Sequence, residues 1–208
     1  MQGNITTPPA DINSRPQYRQ LEAVPNAQWN LVLAENEGMK SVIRMLDEAP
    51  PGFGARTHVV FLTSYDKGEG NYIEQLEDFG PVSINEVPTR KAALLRLGKL
   101  LESAKMGTRL YVVGGESFVG LVVSEASNYG INHEAVITEL RGSLARRVQC
   151  VHCKFIAENI TTSFYECPRC SETLEVRDHY SRRLAAFQGV AATIETPDTE
   201  LEIEEVYP

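Results

Sequence analysis

All four cysteines of this 208-residue chain lie between positions 150 and 170, as Cys150-Val151-His152-Cys153 and Cys167-Pro168-Arg169-Cys170, with thirteen residues between the pairs. A Cys-x-x-Cys turn aims two thiolates at one ion while backbone N–H groups face the sulfurs. Two such turns supply the four ligands of a tetrahedral site. The spacer has room for two short strands and a turn, predicting a hairpin ribbon with Ile156, Ile160, Phe164 and Tyr165 along one face. Other uses of the thiols fit less well. The first residues, MQGNITTPPADINS, have neither the basic nor the apolar region of an export signal. The expected compartment is therefore the cytoplasm, where thiols stay reduced and structural disulfides are rare. A redox-active pair needs one Cys-x-x-Cys on a thioredoxin-like fold, not two outside the sheet. Cys150, Cys153, Cys167 and Cys170 are thus the expected metal ligands. His152, inside the first turn, is expected beside the site or at the surface.

Four thiolates suit both zinc and iron. Zinc would hold the module folded, whereas iron would make it a one-electron carrier of rubredoxin type. Rubredoxins place glycine directly after each Cys-x-x-Cys, and here those positions are Lys154 and Ser171. Ligand type and the missing glycines favour zinc, with iron as the alternative.

The remaining chain must position this module. Residues 29–34 (WNLVLA), 57–63 (THVVFLT), 82–87, 109–113 (RLYVV) and 135–140 (AVITEL) read as strands. Between them, Val42, Ile43, Met45 and Leu46, then Tyr72, Ile73, Leu76 and Phe79, recur at helical spacing. So do Ala92 to Leu101, and Phe118, Leu121, Val122 and Ala126. Five strands alternating with four helices, the strands apolar enough to be buried on both faces, predict a parallel doubly wound α/β sheet over residues 29–142. Residues 1–28, polar and proline-bearing, are expected as an extended arm. Residues 146–189 form the four-cysteine module, too small for a core of its own, with a brief helix over 178–189. Residues 190–208 are expected as a solvated acidic tail.

With 28 Asp+Glu against 20 Lys+Arg, the net charge of −8 opposes a nucleic-acid or anionic-membrane partner. The longest apolar runs fall far short of the roughly 18 residues of a membrane span.

Residues 31–46 (LVLAENEGMKSVIRML), 59–64 and 111–130 (YVVGGESFVGLVVSEASNYG), followed by 131–139, resemble the nicotinamide-nucleotide domain of ferredoxin–NADP reductases. In that family the first strand ends in a glycine-rich loop and a later strand in a Cys-Gly-Pro-like turn. The resemblance implies a cofactor contact at Gly114 and Gly115, at the carboxyl end of a strand where such sheets bind ligands. The first loop, Ala34-Glu35-Asn36-Glu37-Gly38, has one glycine where the family has several. Glu35 and Glu37 would set carboxylates beside phosphate charges.

The two cysteine pairs together with residues 174–190 (LEVRDHYSRRLAAFQGV) resemble the DmmA-like subunits of bacterial dimethylamine monooxygenase. That resemblance implies a non-haem component of a multi-subunit, NADPH-dependent oxygenase that removes a methyl group from dimethylamine in methylamine metabolism. NADPH, flavin, iron–sulfur and haem centres are then expected in partner subunits, namely a haem subunit and a flavin/iron–sulfur reductase subunit. This chain would act as a structural or electron-relay component. No catalytic residue is assigned to it. Arg177, Arg182 and Arg183, with Tyr180, Leu184 and Phe187, fit either an interface or a helix packed on its own domain. The alternative function is an autonomous nicotinamide-dependent reductase with a rubredoxin-type iron centre.

Overall fold

The computed structural model describes residues 14–63, 72–192 and 202–208. The first half of the expected arm, and Glu195, Asp198 and Glu200 of the expected tail, lie outside the described residues. The chain divides into two compact units, one Gln17–Gly142, the other Ser143–Pro208 together with the segment ending at Pro16.

In the first unit, β1 (Trp29–Glu35), β2 (Thr57–Leu62), β3 (Ser83–Val87), β4 (Thr108–Gly114) and β5 (Val136–Leu140) form one sheet in the order β3-β2-β1-β4-β5. Every pairing is parallel. The connections run through α1 (Gly38–Asp47), α2 (Tyr72–Glu77), α3 (Arg90–Leu101) and α4 (Glu116–Asn128), as the alternating pattern predicts. Side chains of a strand alternate in direction. Leu31 and Leu33 accordingly join one core, with Leu97 and Leu101 of α3 and Phe118 and Val122 of α4. Val32 and Ala34 join the opposite core, with Met39, Val42 and Met45 of α1. The three- and four-residue spacing of those helical residues is what gives each helix one apolar stripe. Thr89 caps α3 by accepting a hydrogen bond from the Ala92 N–H.

The described part of the arm is built into these units. Leu21 is fully buried in the α1-side core, its N–H donates to Glu139 at 2.7 Å, and the Val24 N–H donates to the Tyr111 hydroxyl.

The second unit has more structure than its sequence suggests. β6 (Arg146–Cys150), β7 (Ile156–Ile160), β8 (Phe164–Glu166), β9 (Thr173–Ser181) and β10 (Ala186–Ala191) form a sheet in the order β7-β6-β10-β9-β8. Two expectations are corrected here. The thirteen-residue spacer does supply two strands, but β7 and β8 lie at opposite edges of the sheet and do not pair with each other. Each Cys-x-x-Cys is instead the turn of its own hairpin, β6–β7 and β8–β9, with β10 between them.

The helix expected over 178–189 is also absent: β9 runs through Ser181 and turns at residues 182–185 into β10. Leu184 and Phe187 have helical spacing only because a tight turn separates them. A bulge between Phe187 and Gln188 breaks the period of two that would have marked a strand. Phe187 packs on its cross-strand partner Tyr180 with ring centroids 4.9 Å apart. Arg182 and Arg183 are exposed at the turn while Phe187 is buried.

Residues 202–208 depart from a solvated tail. Glu205 forms a bridge with Thr162, the Val206 N–H donates to the Thr161 carbonyl, and the Leu144 N–H donates to the Pro208 carbonyl at 2.6 Å. The Tyr207 ring lies 3.7 Å from the Arg146 guanidinium carbon, whose other face meets Phe187 at 3.8 Å. Arg146 is fully buried and bonds Asp178 at 2.7 Å. An ion held between two rings and a carboxylate is compensated for its burial.

Candidate functional sites

The two hairpin turns bring the four predicted ligands together. All four Sγ atoms lie within 4.8 Å of one another. Cys150 and Cys170 approach to 3.8 Å, and Cys153 and Cys167 to 3.6 Å. Four sulfurs at about 2.3 Å from a central ion in a tetrahedron are about 3.8 Å apart, so the spacing fits a metal ion. It is far from the ~2.05 Å of a disulfide. The leading cysteine of each turn, Cys150 or Cys167, is buried, and the second, Cys153 or Cys170, is half-exposed.

The two turns share one backbone form. The Lys154 N–H donates to the Cys150 carbonyl and the Ser171 N–H to the Cys167 carbonyl, at 3.0 and 2.9 Å. Lys154 and Ser171 are left-handed, with φ of 64° and 56°. The position after each pair therefore makes the turn that favours glycine without having glycine. The absence of glycine there does not alter the knuckle, so it says nothing about which metal binds.

Thiol acidity shows what an ion must do. Burial pushes the Cys167 thiol up, but the Arg169 and Cys170 N–H groups and neighbouring sulfurs outweigh it and bring it down to about 7. The Glu172 N–H favours the Cys170 thiolate, yet burial and three adjacent sulfurs push that thiol up to about 12. Burial also raises Cys150. Four like charges cannot gather here alone, and a cation would neutralise them and expel the protons. Tyr165 packs on this cluster. His152 is exposed, as expected.

The second predicted site lies in the sheet unit. Strand order reverses between β1 and β4, which places the crevice of such a sheet at their carboxyl ends. Gly114 ends β4 and Gly115 caps α4 there. The side chain facing them is Glu35, the last residue of β1. Its Oε2 accepts a hydrogen bond from the Gly115 N–H at 3.2 Å and its Oε1 one from Arg90 Nε at 2.9 Å. A Cβ at Gly114 would come within 2.8 Å of the Glu35 Cβ and 2.7 Å of Phe118 Cδ1, so glycine is needed there for packing.

Two features escaped the sequence reading. Glu139 is a buried carboxylate that gathers the Leu21 N–H, the Ser41 hydroxyl, Arg44 and Arg141 within 2.9 Å. Burial would raise its pKa, but these four donors outweigh burial and hold it below the usual carboxylate range. Arg146 is the other. Nothing in a sequence marks which carboxylate or guanidinium will be enclosed.

Residues 10–136 match the family model described as dimethylamine monooxygenase subunit DmmA-like, N-terminal domain. Residues 147–190 match the corresponding C-terminal domain. The chain is 30% identical over 116 residues to the heme-dependent oxidative N-demethylase delta subunit of Ectopseudomonas mendocina (strain ymp), a match covering 56% of this chain and 66% of that subunit, just under two thirds of its length. Among solved structures, phthalate dioxygenase reductase is similar with a TM-score of 0.44 and 14% identity, covering 72% of this chain and 47% of that one. The C-terminal domain of a Pyrococcus furiosus hydrogenase is similar with a TM-score of 0.42 and 17% identity, covering 58% of this chain and 97% of that one. No helix among the described residues is long and apolar enough to cross a membrane.

Proposed function

Since the chain belongs to the family of DmmA-like dimethylamine monooxygenase subunits, we propose that it is a non-haem subunit of an NADPH-dependent oxygenase that demethylates dimethylamine. The observation that carries this reading is the match of both of its domains, in order, to one subunit family. Similarity to an N-demethylase delta subunit supports it. NADPH, flavin, iron–sulfur and haem centres are assigned to sister subunits, a haem subunit and a reductase subunit, in a cytoplasmic hetero-oligomer.

Within this chain Cys150, Cys153, Cys167 and Cys170 would hold one zinc ion, which supplies charge neutralisation and cross-linking with no redox step. Support comes from the sulfur cluster itself, where, among the described residues, Leu174 is the one other buried side chain beside Cys150 and Cys167. An ion there would lock the two hairpin turns together. One observation favours an electron relay through iron instead: Cys153 and Cys170 are half-exposed, so a partner's redox group could approach them.

Two measurements test the proposal. The visible spectrum of pure protein separates the metals. A colourless protein with stoichiometric zinc supports the structural role, whereas a red protein with Fe(III)–thiolate bands replaces it by the relay. Co-expression with the neighbouring genes tests the assembly. This chain is expected to co-purify with a haem-bearing and a flavin-bearing subunit, and its omission to abolish NADPH- and dimethylamine-dependent turnover. Full turnover without it would contradict the subunit role.

A further inference from the structure

The crevice between β1 and β4 is where a sheet of this order binds the diphosphate of a nucleotide, through helix N-termini and basic side chains. Each of those anion-binding elements is present, and each is engaged by the chain's own Glu35. The Gly115 N–H at the start of α4 donates to Glu35 Oε2. Arg90, the first residue of α3, donates to Oε1 through Nε. The Glu35 side chain is 10% exposed, so its carboxylate is enclosed beside these donors. The backbone leaves no slack around it, because a Cβ on Gly114 would collide with both Glu35 and Phe118. Phe118 itself is buried at the first turn of α4. The loop after β1 is closed in a similar way: a Cβ on Gly38 would come within 2.9 Å of the Val113 carbonyl oxygen, so α1 is seated directly on β4.

We propose that the Glu35 carboxylate is the permanent occupant of the anion cradle at the β1–β4 switch point, a built-in phosphate mimic that keeps this chain from binding a dinucleotide. A carboxylate hydrogen-bonded to the Gly115 N–H and to Arg90 both occupies these donors and repels an incoming diphosphate. The glycine pair Gly114-Gly115 then serves the close approach of Glu35 and Phe118 and not that of a cofactor. This deepens the assembly reading, because it leaves NADPH to a sister subunit. It rests on the sheet alone, so failure to co-purify with partners would leave it standing.

The test is titration of the full-length protein with NADPH and, separately, with inorganic pyrophosphate, followed by calorimetry. Wild type is expected to show no saturable binding of either up to about 1 mM. Glu35→Ala frees the Gly115 N–H and Arg90, and Glu35→Gln removes the charge that faces them; each is expected to gain pyrophosphate affinity by at least about tenfold, the scale of one anion at a helix N-terminus. Saturable NADPH binding by wild type at or below about 1 mM would overturn the proposal, whether or not the variants fold. Folded variants that gain no affinity for pyrophosphate would overturn it equally.

Discussion

The two units both bury apolar side chains, but only the C-terminal unit adds a cluster of thiols and an enclosed arginine to them. In the sheet unit, both faces of β1 and β4 are covered by Leu, Val, Met and Phe side chains contributed by the helices. In the C-terminal unit, a cluster of four thiols, two of them buried, and a fully enclosed arginine beside Phe187 and Tyr207 join the apolar side chains. The first is held by apolar area, which tolerates the loss of any one contact. The second depends on a few specific interactions, each of which leaves a buried charge or polar group exposed to its neighbours when removed. Single substitutions should therefore act very differently in the two units.

The largest effect is expected at the sulfurs. Cys167→Ser should unfold the C-terminal unit while the sheet unit keeps its own cooperative transition, because a four-thiolate zinc site contributes on the order of 10–16 kcal/mol in zinc-finger peptides. Circular dichroism melts should show the sheet's transition retained and the other lost. A single common loss would break the distinction between the units. Arg146→Ala comes next. It takes from Asp178 its 2.7 Å partner, leaving Arg15 at 3.7 Å, and opens a void beside two rings; it should destabilise the C-terminal unit by about 3 kcal/mol, read as the shift of that unit's urea midpoint.

The sheet unit has ionic sites too, and at one of them Glu139→Gln sharpens the comparison. Loss of charge opposite Arg44 and Arg141 should cost about 2 kcal/mol near neutral pH, the scale of a hydrogen bond to a charged group. Because the folded-state pKa of Glu139 lies below its ordinary value, its contribution is fully present above about pH 4.3, the usual glutamate pKa. It is lost as pH falls through the depressed folded value. The gap between wild type and variant in urea unfolding should accordingly close on acidification. A gap that widened with acid would contradict the assignment.

How much of this was legible beforehand follows the same division. The sheet could be read because each strand and helix declares itself locally: an apolar run, a breaker such as Pro50-Pro51-Gly52, then residues at helical spacing. The four ligands could be read because metal chemistry fixes their spacing. What failed was non-local. β7 and β8 were correctly expected as strands, but their separation to opposite edges depends on β10 inserting between the hairpins, which no local pattern announces. The helix expected at 178–189 failed because a bulge and a left-handed Ala185, with φ of 48°, hid the strand period. Lys154 and Ser171 adopt the backbone that glycine usually supplies, which their residue types do not announce. Glu35, read as a carboxylate badly placed beside phosphate, is hydrogen-bonded to the Gly115 N–H and Arg90, partners that lie far from it in sequence.

An ion that ties the two hairpins together should matter in one unit only. Amide hydrogen exchange of the full chain, before and after removal of the metal by a chelator, measures this most directly. Protection should collapse across β6 to β10 and remain intact across β1 to β5. Protection unchanged in β6 to β10, or lost equally in both units, would contradict it.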